Sequence, residues 1–324
     1  VAIGTLALDA NTSGNELTAM GYNSLGANTT GCYNVAVGDN ALAANTTGND
    51  NTTIGMRSLL NNTTGTNNTG VGRNALRENT TAANNTAVGS SSLACNTTGA
   101  SNVAVGAEAL DANTTGAENT AVGRFALTSN TEGDENTAVG RYSLGTNTTG
   151  ENNTALGHST IENNTTGDFN VGIGHGALQA NTTADNNTAV GYQSLDANTE
   201  GHSNVAVGKG SLSANTSADE NTAVGFNALA DNTTGHSNVA VGACALITNT
   251  TACDNTATGY KALYANTTGA ANTAIGNLAG SNVTTGGNNL LLGLDAGRSG
   301  TPSGEITTQS NRISLGNNSI TNAY

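Results

Sequence analysis

His158 and His175 stand seventeen residues apart, and Arg124, Arg141, Tyr192 and Lys209 continue the same series. Two imidazoles held side by side could bridge a metal, but no Asp, Glu or Cys joins that series nearby as a third ligand, so no metal site is expected. Asp134 with Glu135, and Asp219 with Glu220, could attract calcium. The two pairs are not neighbours in the series, and solvated surface charge is the expectation. The richer set is the series itself: Arg124, Arg141, His158, His175, Tyr192, Lys209, Phe226 and, past Ala243, Tyr260, with Phe125 and Tyr142 beside it. Aromatic rings stack on apolar sugar faces and guanidinium groups bind acidic ones, which makes this a candidate glycan contact; packing or plain surface would use the same residues. Four cysteines, Cys32, Cys95, Cys244 and Cys253, follow no metal-ligand spacing and read as isolated, half-buried small side chains. No Ser-His-Asp set, phosphate-binding loop or dinucleotide fingerprint is recognisable, so neither enzyme activity nor a cofactor is expected.

The spacing itself is the strongest signal. Glycine recurs every seventeenth residue from Gly4 to Gly293 without one insertion. Numbered from its leading Asn, as in Asn34, the unit reads N-[TV]-A-V-G-x-x-[AS]-L-x-x-N-T-T-[GA]-x-x. An internal repeat of this regularity marks a solenoid or an array. Seventeen residues are too few for a helix pair, and Val, Thr and Gly are weak helix formers. "NTAVG" alternates like a strand. The fold class expected is therefore all-β, a parallel β-solenoid with one coil per repeat and about 18 coils over residues 1–293. Strands stack about 4.8 Å apart, which predicts a rod on the order of 85 Å.

Each fixed letter then becomes a file running down the rod. The fourth-place file (Val37, Ile54, Val71) and the ninth-place file (Leu42, Leu59, Leu76) are expected to point inward. Each buried aliphatic contributes roughly 1.5–3 kcal/mol. Gly38, Gly55 and their equivalents are expected at a corner needing positive φ or a close backbone approach. Asn45 and Asn62 at the twelfth place are expected to form a hydrogen-bonded ladder, with Thr46 and Thr63 as the polar file after it. The variable places, such as Asp39, Asn40, Ala43, Ala44, Asn49 and Asp50, should face solvent. The third place, almost always Ala, should then point outward, and its uniform smallness predicts close packing against a sister chain.

Composition agrees with a thin, polar rod. Of 324 residues only 3% are aromatic and 10% charged, with 43 Gly, one Pro and a net charge of −14. So few aromatics argue against two ordinary globular cores. Nine basic residues give no footprint for nucleic acid, and no apolar run is long enough for a membrane-spanning helix. From Asn277 the pattern decays: Gly280 replaces the Leu, Val283 replaces the Asn, and "LLLG" at 290–293 is unusually apolar. Pro302 falls in the off-register stretch 298–310, where no ladder bond is lost. Residues 294–324 are expected to be an irregular cap and junction to a further domain. The start "VAIG", in mid-repeat, predicts a fragment or a processed product.

"NVAVG" and "NTAVG", followed by a small residue and Leu, resemble the head repeats of YadA-like trimeric autotransporter adhesins. The longer "NTAVGxxALxxNTTG", closed by "NRISLGNNSITNAY", resembles the repeat regions of phage and giant-virus tail fibres still more closely. The resemblance implies a left-handed β-roll that trimerises, an extracellular place on a virion or cell surface, and attachment to a host glycan. In the fibres such repeats often precede an intramolecular chaperone domain; no such domain lies in these residues, and none of its functional positions can be carried over. The period of 17 departs from the shorter adhesin unit.

A reading from another class is ice binding, because the Thr46 file is unbroken through the regular coils. Strand alternation would place Asn45 and Thr47 on the side opposite Thr46, leaving one Thr rank where two serve better. "NTT" is also an N-glycosylation sequon. Glycans on every coil would collide at about 4.8 Å spacing.

Overall fold

The computed structural model describes residues 1–299 and 304–317. Pro302 lies outside them. The chain is an all-β parallel solenoid in two compact units, Val1–Thr166 and Gly167–Tyr324. Each turn supplies one short strand, such as Val35–Val37 and Thr52–Ile54 in the first unit or Val205–Val207 and Thr222–Val224 in the second. Strands pair in parallel with like places opposite: Ala36 with Thr53, Thr53 with Gly70, Ala206 with Ala223. No helix occurs among the described residues.

Corners follow the strand at once. Gly38 has φ +141°, and a Cβ there would stand 2.5 Å from the Gly55 carbonyl oxygen of the next turn. Both reasons anticipated for the glycine file therefore operate, at Gly38 and again at Gly55 (φ +137°). Three non-glycine residues per turn also sit in the left-handed region: Asn40, Leu42 and Asp50, with φ of 53°, 54° and 57°. That conformation costs an L-residue roughly 1–2 kcal/mol. Each is held by donating its N–H to a carbonyl on a neighbouring turn: Asn40 to Tyr22, Leu42 to Ser58, Asp50 to Cys32, at 2.8 to 3.1 Å.

The ninth-place leucines, Leu42 and Leu59 among them, are fully buried. The strand, however, has the opposite parity to the one expected. Ala36, Ala87 and Ala104 at the third place are 0% exposed, whereas Ile54, Val88 and Val105 at the fourth are 46%, 37% and 36% exposed. The smallness of the third place is an intramolecular constraint. At Gly70 an added Cβ would meet the Ser58 hydroxyl at 2.4 Å and Leu59 Cδ1 at 2.6 Å, so this place points at the leucine file across the coil. One Leu fills a seventeen-residue cross-section and leaves room for a methyl group. Ala43, expected in solvent, is buried as well.

The last described turns show the same constraint in reverse. Leu291 occupies the third place and is fully buried, while the ninth place of the preceding turn is Gly280. A Cβ on Gly280 would lie 2.5 Å from Leu291 Cδ1. Large and small have exchanged sides. Stacking continues past Gly293 with a longer connection: Leu290–Leu292 pairs with Ile313–Leu315, and Thr284 Oγ1 donates to the Thr307 carbonyl, 23 residues on.

Two Asn ladders close the remaining backbone. Asn45 donates from Nδ2 to Asn28 Oδ1 at 2.8 Å and to the Gly48 carbonyl of its own turn at 3.0 Å, and Asn62 repeats this with Asn45 and Gly65. The leading Asn forms a second ladder that the consensus letter alone did not reveal. Asn34 Nδ2 donates to the same Gly48 carbonyl at 2.8 Å, and its Oδ1 accepts the backbone N–H of Asn51 at 3.0 Å. Asn34, Asn45, Asn51 and Asn62 are 0% exposed. A buried amide is tolerated when its donors and acceptor are matched, and here the next turn supplies the match until Asn266, whose Oδ1 is left without a partner where Val283 replaces the next Asn.

Candidate binding surfaces

Two outward files on the strands form the first surface. The second place is Thr or Val (Thr86, Val103, Thr120, Thr137) and the fourth is aliphatic (Val88, Val105, Val122, Val139). Within each unit this makes a sheet face of β-branched side chains, with no charged residue at either place in any regular strand. A solvated sheet face normally carries polar or charged residues at such places.

The second surface is the cation and aromatic series, which each unit displays separately. In the first unit Phe125 and Tyr142 stack with centroids 5.1 Å apart, and the Arg124 and Arg141 guanidinium groups lie 4.4 and 4.6 Å from those rings. His158 meets Tyr142 edge-on at 6.5 Å. In the second unit His175 stacks on Tyr192 at 5.5 Å, and Lys209 Nζ lies 5.7 Å from the same ring. Phe226 is 50% exposed, and Lys261 sits between Tyr260 and Tyr264 at 5.4 and 4.9 Å. The series is thus self-stacked, and its members are brought together within each unit. His158 belongs to the first unit and His175 to the second. Among the described residues no group of three His, Cys, Asp or Glu is placed to hold a metal.

The acidic residues have a local task that sequence reading missed. Asp134 Oδ1 accepts the Ala117 N–H at 2.7 Å; in the second unit Asp185 Oδ1 accepts the Asp168 N–H at 2.8 Å and Asp219 Oδ1 the His202 N–H at 2.7 Å. His202 Nδ1 accepts the Asp185 N–H at 3.0 Å. All share the sixteenth place, where Asn49 likewise caps Cys32. The signal available in the sequence was the recurrence of Asn, Asp and His at that place.

No protein-family model matches the chain, and no curated protein matches it in sequence. Thr46 and Thr63 are half-buried, and each hydroxyl donates to the carbonyl of the Thr one turn on, at 3.0 and 3.1 Å. The sequon asparagines Asn45 and Asn62 spend both amide protons inside the coil and are inaccessible to a glycosyl carrier once folded. The four cysteines are free and half-buried. Burial raises the pKa of the Cys95 thiol, with Asp111 adding to it. Burial, then Glu108, raises that of Asp111, and burial raises that of Asp196.

Proposed function

We propose that this chain is a structural and adhesive fibre segment, extracellular on a virion or cell surface, which associates with copies of itself through the Thr/Val sheet face and presents its polar flanks to a carbohydrate. The observation carrying this reading is the outward fourth-place file: Ile54, Leu156 and Ile275 are 46–47% exposed, and each regular turn repeats an aliphatic, Met or Thr there. A continuous apolar file is costly to leave in water, at roughly 25 cal/mol per Å². Burying it against identical files is the economical outcome for a repeat with a symmetric partner. The likeness of "NTAVG" to the head repeats of trimeric adhesins and tail fibres favours three copies. The task is mechanical: stacked ladders resist unfolding and set a distance, with no chemistry performed. Light scattering on the purified chain tests this. A molar mass three times 31.9 kDa is expected. Replacing Val105 and Val139 by Lys should reduce it to 31.9 kDa, with the far-ultraviolet spectrum retained.

One observation favours the second reading, ice binding. The Thr46 hydroxyls are committed to carbonyls, but the sheet face offers two parallel ranks, Thr with Val, where one had been expected. A bare face would serve ice and a covered one would not. Thermal hysteresis in a sample that remains at 31.9 kDa decides for ice.

A further inference from the structure

The sheet face of each unit has two unlike edges. The sixth and seventh places follow its strands past the glycine corner, and they hold six of the nine Lys and Arg: Arg57, Arg73, Arg124, Arg141, Lys209 and Lys261, with Asp39, Glu108 and Asp295 as the acidic exceptions. The sixteenth and seventeenth places precede the strands, and they hold Asp50, Glu118, Asp134, Glu135, Asp219 and Asp254 among other acids and neither Lys nor Arg. Four strands carry both signs at one level: Asp50 and Arg57 flank Thr52–Ile54, Glu118 and Arg124 flank Thr120–Val122, Glu135 and Arg141 flank Thr137–Val139, and Asp254 and Lys261 flank Thr256–Thr258. All are exposed except Lys261, which is half-buried. The strand separates the two members of each pair, and the ion pairs among the described residues, Arg77–Glu78, His202–Asp185 and Arg298–Asp295, include none of them.

We infer that these edges are the rim of the self-association face and that they set its direction: copies stand parallel and in register, the cationic edge of one against the acidic edge of the next. Copies related by rotation about an axis along the stacking direction bring unlike edges together. Copies laid antiparallel, face to face, bring cationic edge to cationic edge and acidic edge to acidic edge. Juxtaposed like charges suppress that arrangement, and opposite charges fix the register of the other. Turns repeat about every 4.8 Å, so a parallel copy in register meets Glu118 with Arg124 and, one turn on, Glu135 with Arg141. The Thr/Val face supplies the apolar centre of the contact and gives no direction by itself, because neighbouring strands such as Thr120–Val122 and Thr137–Val139 are alike. A charged rim stays open to water, so the rings beside Arg124 and Arg141 remain exposed for the carbohydrate contact. This arrangement presupposes the self-association proposed above and adds its direction.

Charge reversal on the intact chain tests it, with molar mass by light scattering followed down a dilution series at low salt. Arg124→Glu with Arg141→Glu should raise the concentration of half-dissociation about tenfold or more, since rim pairs that are weak singly are reversed twice in every contact. Glu118→Arg with Glu135→Arg should do the same. All four changes in one chain make the edges unlike again and should return the original value. The four side chains are exposed, and an unaltered far-ultraviolet spectrum reports that the coil is kept. In about 1 M salt, where the screening length is about 3 Å, the differences should shrink. Association strengthened by reversing one edge alone would mean that like edges meet, and would overturn the parallel arrangement. A loss that the combined chain does not recover would overturn it too, as would an assembly indifferent to all three variants, although self-association itself would then stand. A mass of 31.9 kDa at every concentration of the unaltered chain overturns both ideas.

Discussion

An Asn in either ladder is worth more than its two hydrogen bonds, because its neighbours above and below are buried amides with nowhere else to turn. In Asn62→Asp an oxygen replaces the Nδ2 that donates to Asn45 Oδ1 at 3.0 Å and to the Gly65 carbonyl at 3.1 Å. An uncompensated charge then faces two acceptors, and a loss of about 3–5 kcal/mol is expected in urea unfolding. Thr64→Ala, two residues away and exposed, should stay within about 0.5 kcal/mol. Asp111 behaves oppositely. Burial and then Glu108 raise its pKa above the ordinary 3.8, so the folded chain binds the proton more tightly than the unfolded one. Its protonated form stabilises the fold fully below pH 3.8, and that stabilisation is lost as pH rises through the raised pKa. Asp111→Asn should therefore raise the melting temperature at neutral pH, and the gain should vanish on titration to below pH 3.8. The Asn45 ladder was legible in the sequence because an unvarying polar letter demands a partner. The Asn34 ladder was not, since a first-place Asn reads equally well as a turn residue.

At the scale of the element, the period, the strand and the glycine corner were legible, and the facing of the strand was not. Alternation in "NTAVG" states that Ala and Val point to opposite sides without stating which side is the core. Hydrophobicity chose Val; the cross-section chose Ala, since the ninth-place leucines already fill the coil and third-place Ala36 is 0% exposed. The Gly280–Leu291 exchange offers the test. Leu291→Ala alone should cost about 2–5 kcal/mol through the cavity it leaves. Gly280→Leu alone should be overpacked, its Cβ 2.5 Å from Leu291 Cδ1. The double variant restores the usual pair, and its backbone is permissive: φ is +61° at Gly280 and 54° at Leu42. A double-mutant cycle in thermal unfolding should show a favourable coupling of about 1–3 kcal/mol. Additive losses would mean the two residues do not share one space.

For the molecule as a whole, turning the strand over moves the argument for self-association from the small file to the aliphatic one. Ala104 is small because of Leu; Val105 is exposed and still aliphatic, which the chain's own packing does not require. The cation and aromatic files, read from the sequence as one series, fall into two units. The claim that the sheet face is covered by a copy can be measured directly by thiol labelling, with the native cysteines replaced by Ser. Cysteines are placed singly at Ala104, at Val105 and at the exposed Thr115. The account predicts that Cys at 104 never reacts without unfolding, that Cys at 115 reacts at once, and that Cys at 105 is protected until Val139→Lys separates the chains. Labelling at 105 as fast as at 115 in the unaltered assembly would contradict it.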